Sequence, residues 1–159
     1  MTESDRMKEY QVIKYIAKYL RQKGYDILNI TVRTHNEGEE IRKELNLDSR
    51  IFKKGEADVI AKAKWGRRIL IEAKGSKYKY GIYTALGQMV CTLDDKKYTW
   101  FGLAFPQEWR KRLEKCIEKS SVLKRTNDWA HSKDKRLYFY FVDENGHVTP
   151  KTWSELLKS

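Results

Sequence analysis

The first element that the apolar pattern predicts is an amphipathic helix. Apolar residues recur every three or four positions over residues 5–23, and Gly24 is placed to end the helix. In residues 26–33 the apolar side chains alternate loosely, which is typical of a strand. The polar stretch 34–54 leaves room for a short helix near residues 39–45. The apolar residues at helical spacing in the first helix are Val12, Ile13, Ile16, Tyr19 and Leu20.

Two apolar strands joined by a tight turn follow. Residues 57–63 and 67–74 are strand-like, and Lys64-Trp65-Gly66 has the length and the final glycine of a common three-residue hairpin loop. With the glycine in the left-handed conformation, Ala63 pairs with Arg67. This register fixes which side chains of the two strands share a face.

Four ionisable residues share one face of this predicted hairpin. The register places Asp58 opposite Glu72, and Glu56 opposite Lys74. Because side chains alternate along a strand, these four residues lie on the same face. Directly opposite residues have β-carbons about 4.5–5.5 Å apart. The other face is uniformly apolar and consists of Val59, Ala61, Ile69, Ile71 and Ala73.

The second half of the chain continues to alternate between helix and strand patterns. A helix is predicted over residues 81–95, a strand over 99–105 and an aromatic strand over 137–142. Pro106 opens a helix that places Trp109, Leu113 and Ile117 on one face, and residues 152–155 fit a capping box for a last helix. The whole chain, 1–159, is therefore predicted to be a single α/β or α+β domain with a mixed central sheet flanked by helices.

The net charge of the chain predicts the kind of partner that it binds. There are 33 lysines and arginines against 22 aspartates and glutamates, a net charge of +11. Such a balance favours a polyanionic partner, of which nucleic acid is the usual one. With 40% apolar residues in 159, the chain is long enough for one modest core.

Several other classes of protein are excluded by what the sequence lacks. No stretch approaches the roughly 20 apolar residues that span a bilayer, and the charged N-terminus does not resemble a signal peptide. Cys91 and Cys116 form no CxxC pair, and we expect buried, reduced thiols in a cytoplasmic protein. The sequence contains no GxxxxGK loop, so nothing in it indicates ATP use. No zinc-ligand pattern contains any of the three histidines, His35, His131 and His147.

The carboxylates on the polar face of the hairpin point to a metal ion. Asp58 and Glu72 would repel each other at this spacing unless a positive charge lay between them. Mg²⁺ prefers oxygen ligands and suits such a pair, and Lys74 would line the same pocket. The alternative is a solvated ladder of charges with a cross-strand ion pair. The metal site is favoured, because the surrounding strands are apolar and an unpaired carboxylate there is costly.

The combination of Asp58 with Glu72-Ala73-Lys74 resembles the motif of the PD-(D/E)XK nuclease superfamily. The order of elements over about residues 5–105 also resembles the restriction-endonuclease-like αβββαβ core of that family, whereas 106–159 would be a C-terminal extension. Ala57 stands where the family commonly has a proline before the aspartate.

This resemblance implies an enzyme that hydrolyses phosphodiester bonds in DNA, in repair, recombination or defence. It implies that Asp58, Glu72 and the carbonyl of Ala73 hold Mg²⁺, with Mn²⁺ able to substitute, and that Lys74 serves the attacking water. A homodimer is expected from the resemblance alone. The form of the DNA and the choice between DNA and RNA remain open.

Two further residues are candidates for the catalytic site by the same resemblance, and the first of them, Glu9, is also a candidate ligand of the metal ion. Glu9 is in phase with the apolar stripe of the first helix, and many members of the family place a glutamate of this helix in the active site. A solvated Glu9 is the equal alternative. Gln88 follows the motif strand in a helix similar to the glutamine-bearing helix of some members, although its phase favours a solvated position.

Basic residues near the motif are candidates for contacts with nucleic acid. The segment that follows the motif strand combines lysines, which bind phosphates, with tyrosines, which stack on bases. Arg110 and Lys111 begin a second basic face on a predicted helix, for which simple solvation is the equal alternative. The candidates after the motif strand are Lys77, Tyr78, Lys79 and Tyr80.

Two functions therefore remain from the sequence. The first is a Mg²⁺-dependent endonuclease acting on DNA. The second is a non-catalytic nucleic-acid-binding module that keeps the nuclease fold. The clustered carboxylates favour the first, because they oppose a polyanion unless a metal neutralises them.

Overall fold

The computed structural model describes residues 6–54, 57–77, 83–84, 87–88, 100–132 and 136–157. Helices and strands are interspersed along the described chain, and two short 3₁₀ turns, Ser49–Ile51 and Gln107–Trp109, precede β2 and α3. The helices are α1 (Glu9–Gln22), α2 (His35–Leu45), α3 (Arg110–Lys119), α4 (Ser121–Ser132) and α5 (Trp153–Leu157). The strands are β1 (Asp26–Ile30), β2 (Val59–Lys62), β3 (Arg68–Ala73), β4 (Trp100–Pro106), β5 (Arg136–Val142) and β6 (Val148–Thr152).

The described strands form one sheet in the order β1-β2-β3-β4-β5-β6. Neighbours at both ends are antiparallel, whereas β3 with β4 and β4 with β5 are parallel. The prediction of a mixed sheet flanked by helices is therefore confirmed. The segment after Pro106 contributes β5 and β6 to this sheet and three helices to one of its faces.

Each face of the sheet carries its own apolar core. On one face α1 and α2 pack on the predicted apolar side of the hairpin, where Val59, Ala61 and Ile71 are fully buried. On the other face α3, α4 and α5 cover the remaining buried side chains of β3, β4 and β5. Burying a large apolar side chain in such a core stabilises the fold by about 1.5–3 kcal/mol. The core residues that the predicted helix after Pro106 contributes are Trp109, Leu113 and Ile117, as expected.

The register predicted for the central hairpin is observed. Val59 pairs with Ile71 and Lys62 with Arg68, and the Ala63 N–H donates to the Arg67 carbonyl at 2.8 Å. Gly66 has φ +90°, so the left-handed conformation that the turn requires is present. Asp58 and Glu72 therefore lie next to each other at the same end of the two strands.

Several boundaries and elements differ from the prediction. The first helix begins at Glu9, four residues later than predicted, and β1 ends at Ile30. The helix predicted near residues 39–45 begins earlier, at His35, because Thr34 and Glu37 form a capping box, with the Glu37 N–H donating to Thr34 Oγ1 at 3.2 Å.

The edge strand β6 and the helix α4 were not predicted. Pro150 lies in β6 opposite Tyr140, just before the last helix, whose predicted capping box of Thr152 and Glu155 is confirmed. Proline is tolerated in an edge strand because one side of the strand makes no ladder hydrogen bonds. Cys116 is only partly buried and forms no disulfide with a described residue, and Cys91 lies outside the described residues.

The predicted helix over residues 81–95 lies mostly outside the described residues. Tyr83, Thr84, Gly87 and Gln88 are described and are helical. Among the described helices, none is long and apolar enough to cross a membrane.

Candidate active site

Asp58 is fixed between two strands just before β2 begins. Its Oδ2 accepts a hydrogen bond from the Ala73 N–H at 2.7 Å, and its carbonyl accepts one from the Thr31 N–H at 3.0 Å. These bonds tie Asp58 to β3 on one side and to the end of β1 on the other. The carboxylate is thus held at a defined position beside the motif strand.

Glu72 lies within β3, opposite Leu103 of β4, and only 1% of its surface is exposed. Its side chain forms a hydrogen bond with that of Asp58, which favours the protonated form of Glu72. Burial and the charge of Asp58 raise the pKa of Glu72 to about 8. Burial also raises the pKa of Asp58, against the opposing effect of the Ala73 N–H.

Lys74 follows β3 directly and enters the same site. Its backbone N–H donates to the Ala104 carbonyl at 2.9 Å, which continues the pairing with β4, and only 7% of the residue is exposed. Its positive charge opposes the rise in the pKa of Asp58, Glu72 and Glu9. The three motif residues therefore form one buried electrostatic unit, which is what the hairpin register predicted.

The structure also brings Glu9 to this unit. Glu9 is the first residue of α1 and not a member of its buried stripe, so it lies where the helix passes the end of the sheet. Its side chain is 17% exposed, and its Oε2 lies 3.8 Å from Nη2 of Arg33. Burial, followed by the charge of Asp58, raises the pKa of Glu9. Glu9 is therefore partly buried beside the motif residues, and its part in the site stays a prediction.

The close approach of residues 74–76 to the start of α1 positions Glu9. The Ser76 N–H donates to the Met7 carbonyl at 2.9 Å. A Cβ on Gly75 would lie 2.6 Å from the Glu9 nitrogen and 2.9 Å from the Met7 oxygen. Only glycine allows this contact, because backbone atoms cannot give way as a flexible side chain can.

The Gly75→Ala variant should consequently lose stability by about 2 kcal/mol or more, since the added methyl group forces α1 away from the end of β3. Urea unfolding monitored by circular dichroism measures this loss. Gly87→Ala is the matched control, because Gly87 is helical and its added Cβ would meet no described atom within 4 Å. The control should be neutral or stabilising by up to ~1 kcal/mol. Equal stability of Gly75→Ala and the parent protein would contradict this packing.

A cleft of about 470 Å³ opens onto the site. Glu9, Asp58 and Lys74 line it, and Gln88 lies on its wall, although helical phase favoured a position away from the site. Glu72 lies behind Asp58 and does not line the cleft. Further basic residues around the opening are Arg6, Lys8, Arg33 and Lys77.

The donor set fits a divalent cation. Among the described residues, Glu72 Oε2 is a buried atom with no hydrogen-bond partner, which is costly for a carboxylate. Glu9 Oε2 also lacks a hydrogen bond, and its ion pair with Arg33 is long at 3.8 Å. Within the same described part of the chain, no group of three or more histidine, cysteine, aspartate or glutamate side chains forms a ready metal cage. Mg²⁺ does not require one, because it usually binds through one or two carboxylates, keeps several waters and uses substrate phosphates. Asp58, Glu72 and the Ala73 carbonyl would suit that mode.

The predicted contacts with nucleic acid divide into two groups. Lys77 is exposed at the rim of the cleft, whereas Tyr78, Lys79 and Tyr80 lie outside the described residues. Glu56, predicted on the polar face of the hairpin, also lies outside the described residues. On α3, Arg110 pairs with Glu114 at 3.1 Å and lies 5.9 Å from the centre of the Phe141 ring. Its charge is therefore engaged within the fold. The adjacent Lys111 is exposed.

Three basic residues of the cleft were missed from the sequence. Arg6 and Lys8 precede α1, and Arg33 follows β1, so none is near the motif along the chain. Their positions follow from the packing of α1 and β1 beside β2. No periodicity in the sequence marks them.

Comparisons of this chain with protein-family models, curated proteins and solved structures find no match. The function proposed below accordingly depends on the residues of the site, their geometry and their charge.

Proposed function

We propose that this protein is a Mg²⁺-dependent nuclease of the PD-(D/E)XK type that hydrolyses phosphodiester bonds in DNA. The observation that carries the proposal is the carboxyl pair of the buried Glu72 and the partly buried Asp58, with the buried Lys74 beside it, at the end of a basic cleft. Buried acids of this kind destabilise a fold unless they bind something positive. A site with perturbed pKa values in a cleft is a candidate for catalysis on physical grounds.

Each residue has a distinct role in this proposal. Asp58, Glu72 and the Ala73 carbonyl would hold Mg²⁺, which supplies Lewis-acid polarisation of the phosphate and a more acidic water. Lys74 orients the attacking water and stabilises negative charge on the phosphate during transfer. Glu9 and Gln88, which line the same cleft, would hold further waters through hydrogen bonds.

The order of elements supports the restriction-endonuclease-like fold within the proposal. The helix α1 precedes three antiparallel strands, and β4 lies parallel to β3 beyond the motif strand. This order supports the αβββαβ core that the resemblance implies, whose second helix lies mostly outside the described residues. The site also lies where that resemblance expects it, at the end of the central hairpin.

The charge of the cleft supports a nucleic-acid substrate. Its described lining contains five basic residues against three acidic ones. The acids are Glu9, Asp58 and Glu37, of which the first two lie at the proposed metal site. With a divalent cation bound, the cleft would be strongly positive and would attract a phosphate backbone. The basic residues are Arg6, Lys8, Arg33, Lys74 and Lys77.

A cleavage panel tests the proposal. Purified protein is incubated with labelled duplex, branched and single-stranded DNA and with RNA, in Mg²⁺, Mn²⁺ or EDTA. Cleavage that requires the metal is the expected result, and the panel then identifies the form of the substrate. Size-exclusion chromatography with light scattering checks the homodimer, which remains a prediction.

Two other outcomes contradict the proposal in different ways. Tight, salt-sensitive binding without cleavage in any metal would support the alternative, a nucleic-acid-binding module that retains the fold. If the protein neither binds nor cleaves nucleic acid, the buried carboxylates would lack this explanation. In both cases the nuclease function would be rejected.

A further inference from the structure

A second cavity lies at the opposite end of the central hairpin from Asp58 and Glu72. It has a volume of about 420 Å³ and is bounded by the α1–β1 turn, the β2–β3 turn and the start of β4. β3 runs from Arg68 to Ala73, and at ~3.3 Å per residue this places the cavity roughly 20 Å from the carboxylates. The side chains that define it are Lys23, Tyr25, Lys64, Trp65, Arg67 and Trp100.

The most unusual of these residues is Trp65. It lies at the tip of the β2–β3 turn and is 92% exposed. Tryptophan is usually well buried, and its indole ring forms the largest flat apolar surface of any side chain. The left-handed Gly66, with φ +90°, fixes the turn that presents this ring to solvent. The exposure is therefore imposed by the hairpin and not by fraying of a chain end.

The charged residues that line the cavity, within the described part of the chain, are all basic. Lys23, Lys64 and Arg67 are exposed, and no aspartate or glutamate is among the described residues that line the cavity. The guanidinium of Arg67 lies 5.1 Å from the centre of the Trp100 ring, so a cation and an aromatic face are already paired at the cavity wall. A volume of this size falls in the range of pockets that hold small organic groups.

We propose that this surface binds single-stranded nucleic acid, with an unpaired base stacked on Trp65 and the adjacent phosphates contacted by Lys23 and Lys64. Aromatic rings beside a positive groove are the features by which proteins hold single strands without reading their sequence. A paired duplex hides the faces of its bases, so the exposed ring favours an unpaired strand. Binding here needs neither metal nor cleavage and does not depend on the nuclease function.

Fluorescence anisotropy with a labelled oligothymidylate in EDTA tests this proposal, alongside an abasic phosphodiester of the same length. Trp65→Ala should weaken binding of the oligothymidylate about 10-fold and leave binding of the abasic strand unchanged, because only the bases stack. Trp65→Phe should restore much of the affinity. Binding of the oligothymidylate should also quench the tryptophan fluorescence of the parent protein, and Trp65→Phe should remove most of this quenching.

The charge contribution has its own matched control. Lys23→Glu with Lys64→Glu should weaken binding of both strands and reduce the salt dependence of binding. Lys18→Glu with Lys43→Glu makes the same change in net charge at exposed positions of α1 and α2, and it should weaken binding less. Parent-like affinity of Trp65→Ala for the oligothymidylate, or an equal loss for the abasic strand, would overturn the proposal. Because EDTA removes metal, neither result bears on cleavage at Asp58.

Discussion

Replacing Lys74 with methionine is expected to lower the rate of DNA cleavage by at least about 100-fold while metal binding changes little. Lys74 is almost fully buried beside Asp58 and Glu72, and it lines the cleft that would hold the phosphate. Methionine keeps the unbranched apolar stem and removes the charge, so the packing around β3 should be retained. The loss would then report the missing ammonium group and not a damaged fold.

Single-turnover cleavage at saturating Mg²⁺ measures this effect, and Mn²⁺ binding followed by electron paramagnetic resonance measures the metal site. Lys77→Met is the matched control, because Lys77 lies on the rim of the same cleft but is exposed. It should weaken DNA binding a few-fold and leave the single-turnover rate nearly unchanged. A parent-like rate for Lys74→Met, or an equal loss of rate in both variants, would contradict the role assigned to Lys74.

Replacing Glu72 with glutamine is expected to stabilise the metal-free protein at high pH. The pKa of Glu72 is raised from 4.5 to about 8 in the folded protein, mainly by burial and then by the charge of Asp58. Between these values the folded state binds more protons than the unfolded state, so the free energy of unfolding falls as the pH rises. Each unit of pKa shift corresponds to about 1.4 kcal/mol. Glutamine removes the ionisation, and we expect a gain of roughly 2–4 kcal/mol above pH 8 in EDTA.

Urea unfolding at about pH 5 and pH 9 in EDTA tests this expectation. The variant and the parent should be similarly stable at the lower pH, where Glu72 is protonated, and should separate at the higher pH. Mg²⁺ should stabilise the parent at the higher pH, because it binds the folded state. Glu118→Gln, at an exposed position of α3, should change stability little at either pH. Lower stability of Glu72→Gln at pH 9 in EDTA would show that the carboxylate pair is not a source of strain.

The centre of the site could be predicted because local rules determine it. A three-residue loop with a left-handed glycine allows one register, and that register places Asp58 beside Glu72. The apolar strands around them also indicated burial. Local geometry and hydrophobic pattern agree at this hairpin, so sequence and structure agree as well.

The rest of the site depends on contacts between distant segments. Glu9 enters because Gly75 lets the start of α1 approach the end of β3, and no periodicity in the sequence indicates this contact. Arg33 follows β1, and it lines the cleft because β1 pairs with β2. The position of Gln88 on the cleft wall agrees with its candidacy by resemblance but not with its helical phase, because phase alone does not show what faces the solvent side of a helix.

The two missed elements have different explanations. The strand β6 is polar, contains Pro150 and is stabilised by pairing with β5, so its own sequence carries little strand signal. The helix α4 is polar too, but a signal was present. The side chain of Ser120 accepts a hydrogen bond from the Leu123 N–H at 3.2 Å, as a helix N-cap does.

The most direct test of the nuclease function is cleavage of the preferred substrate by the parent protein and by Asp58→Asn, each purified in parallel and assayed in Mg²⁺ and in EDTA. Asparagine keeps the size of the side chain and removes the charge that would bind the metal. We predict cleavage by the parent protein in Mg²⁺ alone, with a loss of at least about 100-fold in the variant. Equal cleavage by parent and variant, or cleavage that persists in EDTA, would contradict a metal-dependent site at Asp58.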